Sequence, residues 1–177
     1  EEIITRNRLE KLSETDTLTN LYTRGAIEKK IYEHLNRRHT LSAMMLMDID
    51  NFKQVNDTFG HQYGDKLLTD IAAALKAAFR STDYISRLGG DEFIVFLPSI
   101  PGKEWMEFKA NQVVELLRRS YTRDEKTRSV SVSLGLAFSE NGRGTYDELY
   151  KNADHAMYQA KRAGKNQYRI YGAAVKV

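Results

Sequence analysis

The sequence predicts a domain of the α/β (α+β) class, because helical and strand-like patterns of apolar residues alternate along the chain. Ile27, Ile31 and Leu35 recur every four residues within 25–38, which places them on one face of an amphipathic helix. The stretch 41–49 is mainly apolar and ends in Asp48-Ile49-Asp50, as expected of a strand that is buried on both faces and carries carboxylates at its C-terminal end. The change of period between these neighbouring segments predicts a sheet covered by helices.

The next predicted helix follows Gly64-Asp65, where an alanine-rich run extends to Phe79. Asp65 stands at a position that suits an N-cap residue. The buried stripe of this helix would consist of Leu67, Leu68, Ile71, Ala74 and Leu75.

A β-hairpin is predicted next in the chain. The runs 84–88 and 92–97 have strand-like composition and are joined through Gly89-Gly90, a dipeptide that suits a tight turn. The tip of this hairpin would present Asp91 and Glu92 to solvent.

The C-terminal third repeats the alternation of helices and strands. Helical periodicity covers 105–119 and 146–163, and strand-like patterns cover 129–138 and 167–171. The inward face of the last helix would consist of Leu149, Ala153, Ala156, Met157 and Ala160. No internal repeat or second domain boundary is visible in the sequence.

Bulk composition indicates one folded domain. A chain of 177 residues has the length of a single domain and can bury a sizeable core. The charged fraction of 29% and the 2 prolines argue against a disordered chain. The net charge of +3 is too small to predict nucleic acid as the main partner.

The absence of cysteine excludes a disulfide framework and a thiolate metal site, and a reducing cytoplasm is the simplest compartment. The longest apolar run is far shorter than the roughly 20 residues of a membrane span. We therefore expect a cytoplasmic domain, with membrane anchoring of a longer parent protein left open.

The first residues resemble the end of a helix that enters from an upstream module, because Ile3, Leu9 and Leu12 stand among charges. We interpret 1–14 as the end of an upstream signalling or linker helix and 15–177 as the output domain.

Acidic residues cluster at predicted strand ends and turns. Asp48 and Asp50 close one strand and share one side of it, while Asp91 and Glu92 occupy the hairpin tip. Mg²⁺ prefers such carboxylates together with substrate phosphates, and paired ions promote phosphoryl displacement. Solvated acids at surface turns are the alternative interpretation, and these residues alone leave both open.

An ordered set of motifs identifies a resemblance. The string Arg87-Leu88-Gly89-Gly90-Asp91-Glu92-Phe93 is accompanied by several further segments that span residues 16 to 168. These are Asp16-Thr17-Leu18-Thr19-Asn20-Leu21 with Arg24, Met47-Asp48-Ile49-Asp50-Asn51-Phe52-Lys53, Asn56-Asp57-Thr58-Phe59-Gly60-His61, Gly64-Asp65, and Asp154 to Tyr158 followed by Lys161, Gly164, Lys165 and Asn166. In this order, they resemble the GGDEF family.

The resemblance implies a fold similar to nucleotidyl cyclases and polymerase palms, with a central, mainly antiparallel sheet flanked by helices. It implies a diguanylate cyclase that condenses two GTP into cyclic di-GMP and releases two pyrophosphates. The reaction would be a metal-assisted attack of a 3′-hydroxyl on an α-phosphate at the interface of a domain dimer. Two Mg²⁺, or Mn²⁺, would serve each active site.

The resemblance also assigns catalytic and metal-binding roles. Asp48 and Asp91 would bind metal through their carboxylates, with help from the Ile49 carbonyl, and Glu92 would complete the site or help deprotonate the attacking hydroxyl. The glycines at 89 and 90 would let the backbone approach the phosphates, so that any side chain at Gly90 should obstruct it.

The resemblance also implies the substrate-binding residues. Asn56 and Asp65 would be the guanine-binding pair, and a carboxylate can accept hydrogen bonds from the N1–H and amino group of guanine, a donor pair that adenine lacks. A turn residue and a helix cap are the alternatives for these two. The phosphate-binding set is Phe52, Lys53, Gly89, Gly90, Lys161 and Lys165.

Three positions depart from the family pattern. Lys165 replaces the commoner arginine, which keeps charge but loses bidentate geometry; a solvated basic helix end is the alternative for it. Asn20 and Thr23 stand where glycine and asparagine are usual, and we expect them to affect a turn and not catalysis.

Arg80 and Asp83 resemble the family's inhibitory site, at which cyclic di-GMP restrains the enzyme. The alternative is a helix end with a cationic residue followed by a turn aspartate. His61 is interpreted as a structural turn residue.

The resemblance implies partners as well. A homodimer is needed for catalysis, and an upstream sensory domain would raise the effective concentration of the second domain. Two rival functions remain open from sequence: a non-catalytic GGDEF-like module that binds GTP or cyclic di-GMP as a receptor, and an enzyme that makes a mixed cyclic dinucleotide. The intact acidic motif favours catalysis over the receptor.

Overall fold

A six-stranded sheet with helices on both faces forms the centre of the molecule. The computed structural model describes residues 14–37 and 39–173. In chain order its elements are α1 (Arg24–Arg37), β1 (Ser42–Asp50), α2 (Phe52–Phe59), α3 (His61–Ala78), β2 (Tyr84–Gly89), β3 (Glu92–Leu97), α4 (Lys103–Leu116), β4 (Arg119–Arg123), β5 (Lys126–Ser139), α5 (Tyr146–Arg162) and β6 (Gln167–Ile170).

The strand order is β2-β3-β1-β5-β4, and every neighbouring pair in this path is antiparallel. β6 adds to β5 in parallel. The central strand β1 pairs with β3 up to Asp48 opposite Glu92, and with β5 up to Asp50 opposite Ser131. The predicted fold class, a mainly antiparallel sheet flanked by helices, is confirmed.

Alternate residues of β1 serve two hydrophobic cores. Met45 and Met47 pack into the core formed with α3 and α4, and Met44 and Leu46 pack into the core formed with α1 and α5. The prediction of a strand buried on both faces is therefore confirmed. Because side chains alternate, Asp48 continues the row that faces α1 and α5.

Two elements differ from the sequence-based prediction near the start of the sheet. α2 was not predicted, and α3 begins at His61, so Asp65 lies inside the helix and is not its N-cap. Asn56 and His61 are accordingly helical and not turn residues. Phe52, Val55 and Phe59 of α2 recur at helical spacing and pack on the core, but the pattern covers only eight residues, too short a run to predict a helix from sequence.

The β4–β5 hairpin also differs from expectation. The predicted helix 105–119 ends at Leu116, and β4 then pairs with the first residues of β5, which begins at Lys126. Tyr121 is the buried residue of β4, and its neighbours are basic or hydroxyl-bearing. A strand of this composition resembles a polar helix end, which explains the error.

The predicted linker helix within 1–14 lies outside the described residues except for its last position, and the domain boundary stays a prediction. Within 14–37 and 39–173, no helix combines the length and apolar character needed to cross a membrane.

Candidate active site

Three carboxylates meet where the β2–β3 hairpin crosses the end of β1. Asp48 and Glu92 are direct partners in the β1–β3 ladder, and Asp91 stands at the hairpin tip, where its carbonyl accepts from the Ile49 amide at 3.2 Å. Like charges directly opposite each other in a sheet are destabilising. The arrangement therefore favours binding of a cation between the strands.

Lys161, near the end of α5, supplies a cation from the protein. Its ammonium contacts the Asp48 carboxylate, and the side chain is half-buried. Burial alone would lower the pKa of Lys161, but the hydrogen bond and charge of Asp48 outweigh burial and hold this pKa above its ordinary value. Lys161 is thus charged at neutral pH beside the carboxylates.

Burial, with a smaller contribution from neighbouring negative charge, raises the pKa values of both hairpin acids. Burial raises the pKa of the Asp91 carboxyl, and the nearby Asp48 charge adds to this effect. Burial likewise raises the pKa of Glu92, with Asp48 adding to the shift and the hydrogen bond from Tyr150 opposing it. One lysine does not compensate the three carboxylates, and this excess of negative charge makes the site a candidate for binding a further cation.

The donor set fits Mg²⁺ when the substrate supplies ligands too. Within the described part of the chain, no group of three or more histidine or acidic side chains is arranged to hold a metal ion by itself. Mg²⁺ normally keeps several waters and binds through one or two carboxylates plus substrate phosphates. Asp48, Asp91 and Glu92 suit that mode of binding better than a cage made only of protein ligands.

Asp50 is bound by the protein and is not part of this reactive group. Its buried carboxylate accepts from the hydroxyls of Ser131 and Ser133, both at 2.7 Å, and from the Asn166 amide at 3.0 Å. Of the two strand-end aspartates considered for metal binding, only Asp48 therefore remains a candidate ligand. Asp50 instead links the segment after α5 to the sheet, because it binds the Asn166 amide as well as two serines of β5.

The two glycines of the hairpin are required by backbone conformation. Gly89 has φ 139° and Gly90 has φ 52°, values that residues with a Cβ adopt at a cost. A Cβ at either position would meet no protein atom within 4 Å. The structure explains the two glycines by their positive φ angles, which would strain any other residue. The predicted obstruction of the phosphates by a side chain at Gly90 stays a prediction.

Asp16, in the first described segment of the chain, stabilises the hairpin turn through Arg87. Arg87 donates to the Gly90 carbonyl at 2.9 Å and to Asp16 at 3.1 Å. Asp16 also accepts from the amide and hydroxyl of Thr19. Burial opposes the shift, but the Thr19 hydrogen bonds and the Arg87 charge lower the pKa of Asp16. An ionised Asp16 therefore holds the arginine that orients the turn.

The predicted guanine-binding pair lies on α2 and α3. The Asn56 Oδ1 atom is buried and has no hydrogen-bond partner among the described residues. A Cβ on Gly64 would lie 1.8 Å from this oxygen, so glycine at 64 makes room for the amide. Asp65 follows on the surface of α3. An unpaired buried amide oxygen is unusual in a folded protein, which keeps Asn56 a candidate for ligand binding.

The predicted phosphate-binding residues surround the end of β1. Phe52 and Lys53 begin α2 directly after this strand, and Lys53 is exposed. Lys165 is exposed and adopts a left-handed φ of 63°, next to the Asn166 amide that bonds to Asp50. The structure thus places Lys53, Lys161 and Lys165 on segments that meet at one edge of the sheet.

A cavity of about 510 Å³ lies elsewhere, between α1 and the start of α5. Its lining includes Glu28, Tyr32 and Tyr146 but none of the carboxylates at the end of β1. Convergent acids with raised pKa values are a stronger indication of an active site than a cavity alone. The candidate active site is therefore the group of carboxylates at the end of β1.

Residues 13–167 match the sequence profile described as "Diguanylate cyclase, GGDEF domain". The chain belongs to the GGDEF family. It is 39% identical over 169 residues to the uncharacterised protein YtrP of Bacillus subtilis, which is 94% of this chain and 28% of YtrP. It is 36% identical over 172 residues to diguanylate cyclase DosC of Escherichia coli K12, which is 90% of this chain and 35% of DosC. The chain therefore spans about a third of the length of these curated relatives.

Solved GGDEF structures share the fold. The crystal structure of the coiled coil and GGDEF domain of DgcB from Caulobacter crescentus, in complex with c-di-GMP, superimposes with a TM-score of 0.85. The sequence identity is 25%, and the match covers 94% of this chain and 90% of that one. The sheet described above is therefore a GGDEF fold.

In this GGDEF domain the predicted inhibitory residues bind each other. The Arg80 guanidinium donates to the buried Asp83 carboxylate at 3.0 and 3.2 Å, and also to the Ser99 carbonyl at 2.8 Å. The pair joins the end of α3 to the start of β2, apart from the carboxylates at the end of β1. Binding of cyclic di-GMP there stays a prediction.

Sequence reasoning missed one contact of the GGDEF acids. The Tyr150 hydroxyl, on α5, donates to Glu92 at 2.7 Å. Burial, together with the hydrogen bond to Glu92, raises the pKa of Tyr150 to about 12, so the hydroxyl keeps its proton at neutral pH. The sequence does contain a signal for this contact. Residues 150 and 161 are eleven apart, so a helix places Tyr150 on the same face as Lys161.

Proposed function

We propose that this GGDEF domain is a diguanylate cyclase that condenses two GTP into cyclic di-GMP and releases two pyrophosphates. The observation that carries the proposal is the cross-strand pair Asp48 and Glu92, joined by Asp91 at the hairpin tip and by Lys161 from α5. Similarity to proteins named diguanylate cyclases supports it.

Asp48, Asp91, Glu92 and the Ile49 carbonyl would hold two Mg²⁺ ions. When bound, such ions neutralise phosphate charge and lower the pKa of a coordinated hydroxyl. Lys161 lies where its charge can stabilise the phosphates as well as Asp48. The glycine turn, held by Arg87, brings backbone close to the α-phosphate without side chains in the way.

Guanine would bind between α2 and α3, where the half-buried Asn56 amide and the exposed Asp65 carboxylate lie. A carboxylate accepts two hydrogen bonds from guanine that adenine cannot donate in the same geometry. α2 packs on the sheet face opposite the carboxylates. The nucleotide would therefore lie across the end of β1, with Lys53 and Lys165 near its phosphates.

Each domain would bind one GTP, so that the 3′-hydroxyl of one nucleotide attacks the α-phosphate held by a second domain. The exposed position of the hairpin tip supports such a dimer, because a partner can approach it. We propose that upstream sensory sequence brings two domains together in the cytoplasm. Cyclic di-GMP would inhibit through Arg80 and Asp83.

Product analysis tests the proposal. The domain at high concentration is incubated with GTP and Mg²⁺ beside the double variant Asp91→Ala plus Glu92→Ala, and the products are separated by chromatography. Cyclic di-GMP and pyrophosphate from the wild type alone would support the cyclase. GTP binding without any product would indicate the non-catalytic receptor, and a product containing adenine from mixed nucleotides would indicate relaxed base selection.

Gly64→Ala is expected to weaken GTP binding about tenfold, roughly the loss of one hydrogen-bonded contact. The new methyl group would displace the Asn56 amide, since a Cβ there lies 1.8 Å from Oδ1. Calorimetric titration with 3′-deoxy-GTP, which cannot react, measures the affinity. Gly25→Ala is the matched control, because a Cβ at this helical glycine meets nothing within 4 Å. Equal affinities of the two variants would contradict the assignment of Asn56.

A further inference from the structure

Tyr150 is the residue of α5 that touches the GGDEF motif through a hydroxyl. Its Oη donates to Glu92 Oε1 at 2.7 Å. The ring stacks on Tyr146, with centroids 6.1 Å apart and planes inclined by 27°, and the Arg24 guanidinium lies 5.8 Å from the ring centroid. These contacts from two helices fix the direction in which the hydroxyl points.

A neutral donor suits the position of Glu92. This half-buried carboxylate stands opposite the like charge of Asp48 and needs a defined rotamer if one oxygen is to face the reaction. A lysine or arginine in place of Tyr150 would cancel the negative charge that a metal requires. A tyrosine hydroxyl instead donates to Oε1 and leaves the charge of the carboxylate in place.

The same helix controls both cross-strand carboxylates. Tyr150 contacts Glu92, and Lys161 contacts Asp48 eleven residues later, about three helical turns along α5. The two contacts therefore share one rigid support, which packs on the sheet through the buried residues of α5.

We propose that Tyr150 is a positioning residue that holds the Glu92 carboxylate in the orientation needed to bind metal with the nucleotide. The inference rests on the proposed cyclase function and extends it to a residue outside the GGDEF motif. Hydrogen-bonding partners of metal ligands typically change metal affinity or activity by about 10–100-fold when they are removed.

The test compares Tyr150→Phe with Tyr146→Phe in the 177-residue chain. Both variants lose one hydroxyl from the same helix, but the Tyr146 hydroxyl is buried without a hydrogen-bond partner among the described residues. Electron paramagnetic resonance measures Mn²⁺ binding in the presence of 3′-deoxy-GTP, and steady-state kinetics separate kcat from KM. Thermal unfolding verifies that both variants are folded.

Tyr150→Phe is expected to weaken Mn²⁺ binding about tenfold and to lower kcat with little change in KM for GTP. Tyr146→Phe should match the wild type in Mn²⁺ affinity, in kcat and in KM for GTP. Equal Mn²⁺ affinity and kcat in the two variants would overturn the positioning role while leaving the cyclase proposal intact. A wild type that binds no Mn²⁺ and makes no product would overturn both.

Discussion

Asp91→Asn is expected to abolish cyclic di-GMP formation and, at the same time, to raise the thermal midpoint of unfolding. The loss of rate should be at least about 10²-fold, because the amide is a weaker ligand for the proposed Mg²⁺, whose charge would stabilise the reacting phosphate on that scale. The stability gain arises because burial and the Asp48 charge both destabilise the ionised Asp91 carboxylate in the folded state. An isosteric neutral amide removes that penalty.

The sign of the pH dependence follows from the raised pKa of Asp91. The folded chain binds a proton at this carboxyl more readily than the unfolded chain, so the wild-type penalty is present above the folded-state pKa and is relieved as the pH falls through it. The advantage of Asp91→Asn should therefore be fully present at neutral pH and should shrink as the pH falls towards the ordinary carboxyl pKa of 3.8.

Scanning calorimetry in the presence of a chelator measures this advantage. Asp124→Asn, in the exposed turn between β4 and β5, is the matched control and should change neither activity nor midpoint. An Asp91→Asn variant that unfolds at a lower temperature than the wild type would show that the carboxylate is stabilised in the native state, contrary to this account.

Gly135→Ala is expected to destabilise the domain by about 3 kcal/mol or more. A Cβ at this position in β5 would lie 2.0 Å from the Ala153 carbonyl oxygen and 2.4 Å from the Met157 amide nitrogen. Both atoms belong to the backbone of α5, so no side-chain rotation relieves the clash and the helix must move away from the sheet.

Urea unfolding measures the effect, with Gly25→Ala as the control that should be neutral or slightly stabilising. Any folded Gly135→Ala protein should also lose activity, because displacement of α5 withdraws Tyr150 and Lys161 from the carboxylates. A midpoint equal to that of the control would show that β5 and α5 can separate at little cost.

Strong hydrophobic periodicity made several elements predictable from sequence. β1, the β2–β3 hairpin and α5 lie within one or two residues of their predicted bounds. Each carries either a continuous apolar run, a glycine turn or a regular buried stripe, and all five residues predicted to face inward on α5 are buried.

Two short elements, α2 and β4, were not predicted in this way. α2 buries only Val55, and β4 buries Tyr121 among basic and hydroxyl-bearing residues. The role of Asp50 was equally hidden, because its partners Ser131 and Asn166 lie far along the chain. A local sequence pattern does not predict hydrogen bonds between residues so far apart in the chain. Only the folded sheet brings these residues together.

For the candidate site, motif order indicated Asp48, Asp91, Glu92 and Lys161, which the structure brings together. The catalytic and substrate-binding roles of these residues stay predictions. Sequence assigned no role to Tyr150, since its contact with Glu92 depends on how closely α5 approaches the sheet.

The bonds of Asp50 also affect the order in which a nascent chain assembles. The serine hydroxyls that bind Asp50 are synthesised 81 and 83 residues after it, and the Asn166 amide 116 residues after it. At about 5–20 residues per second, the last of these arrives roughly 6–23 s later. A ribosome-bound chain that has not reached Asn166 thus contains the complete GGDEF hairpin but lacks β6, which pairs with β5 on the other side of β1.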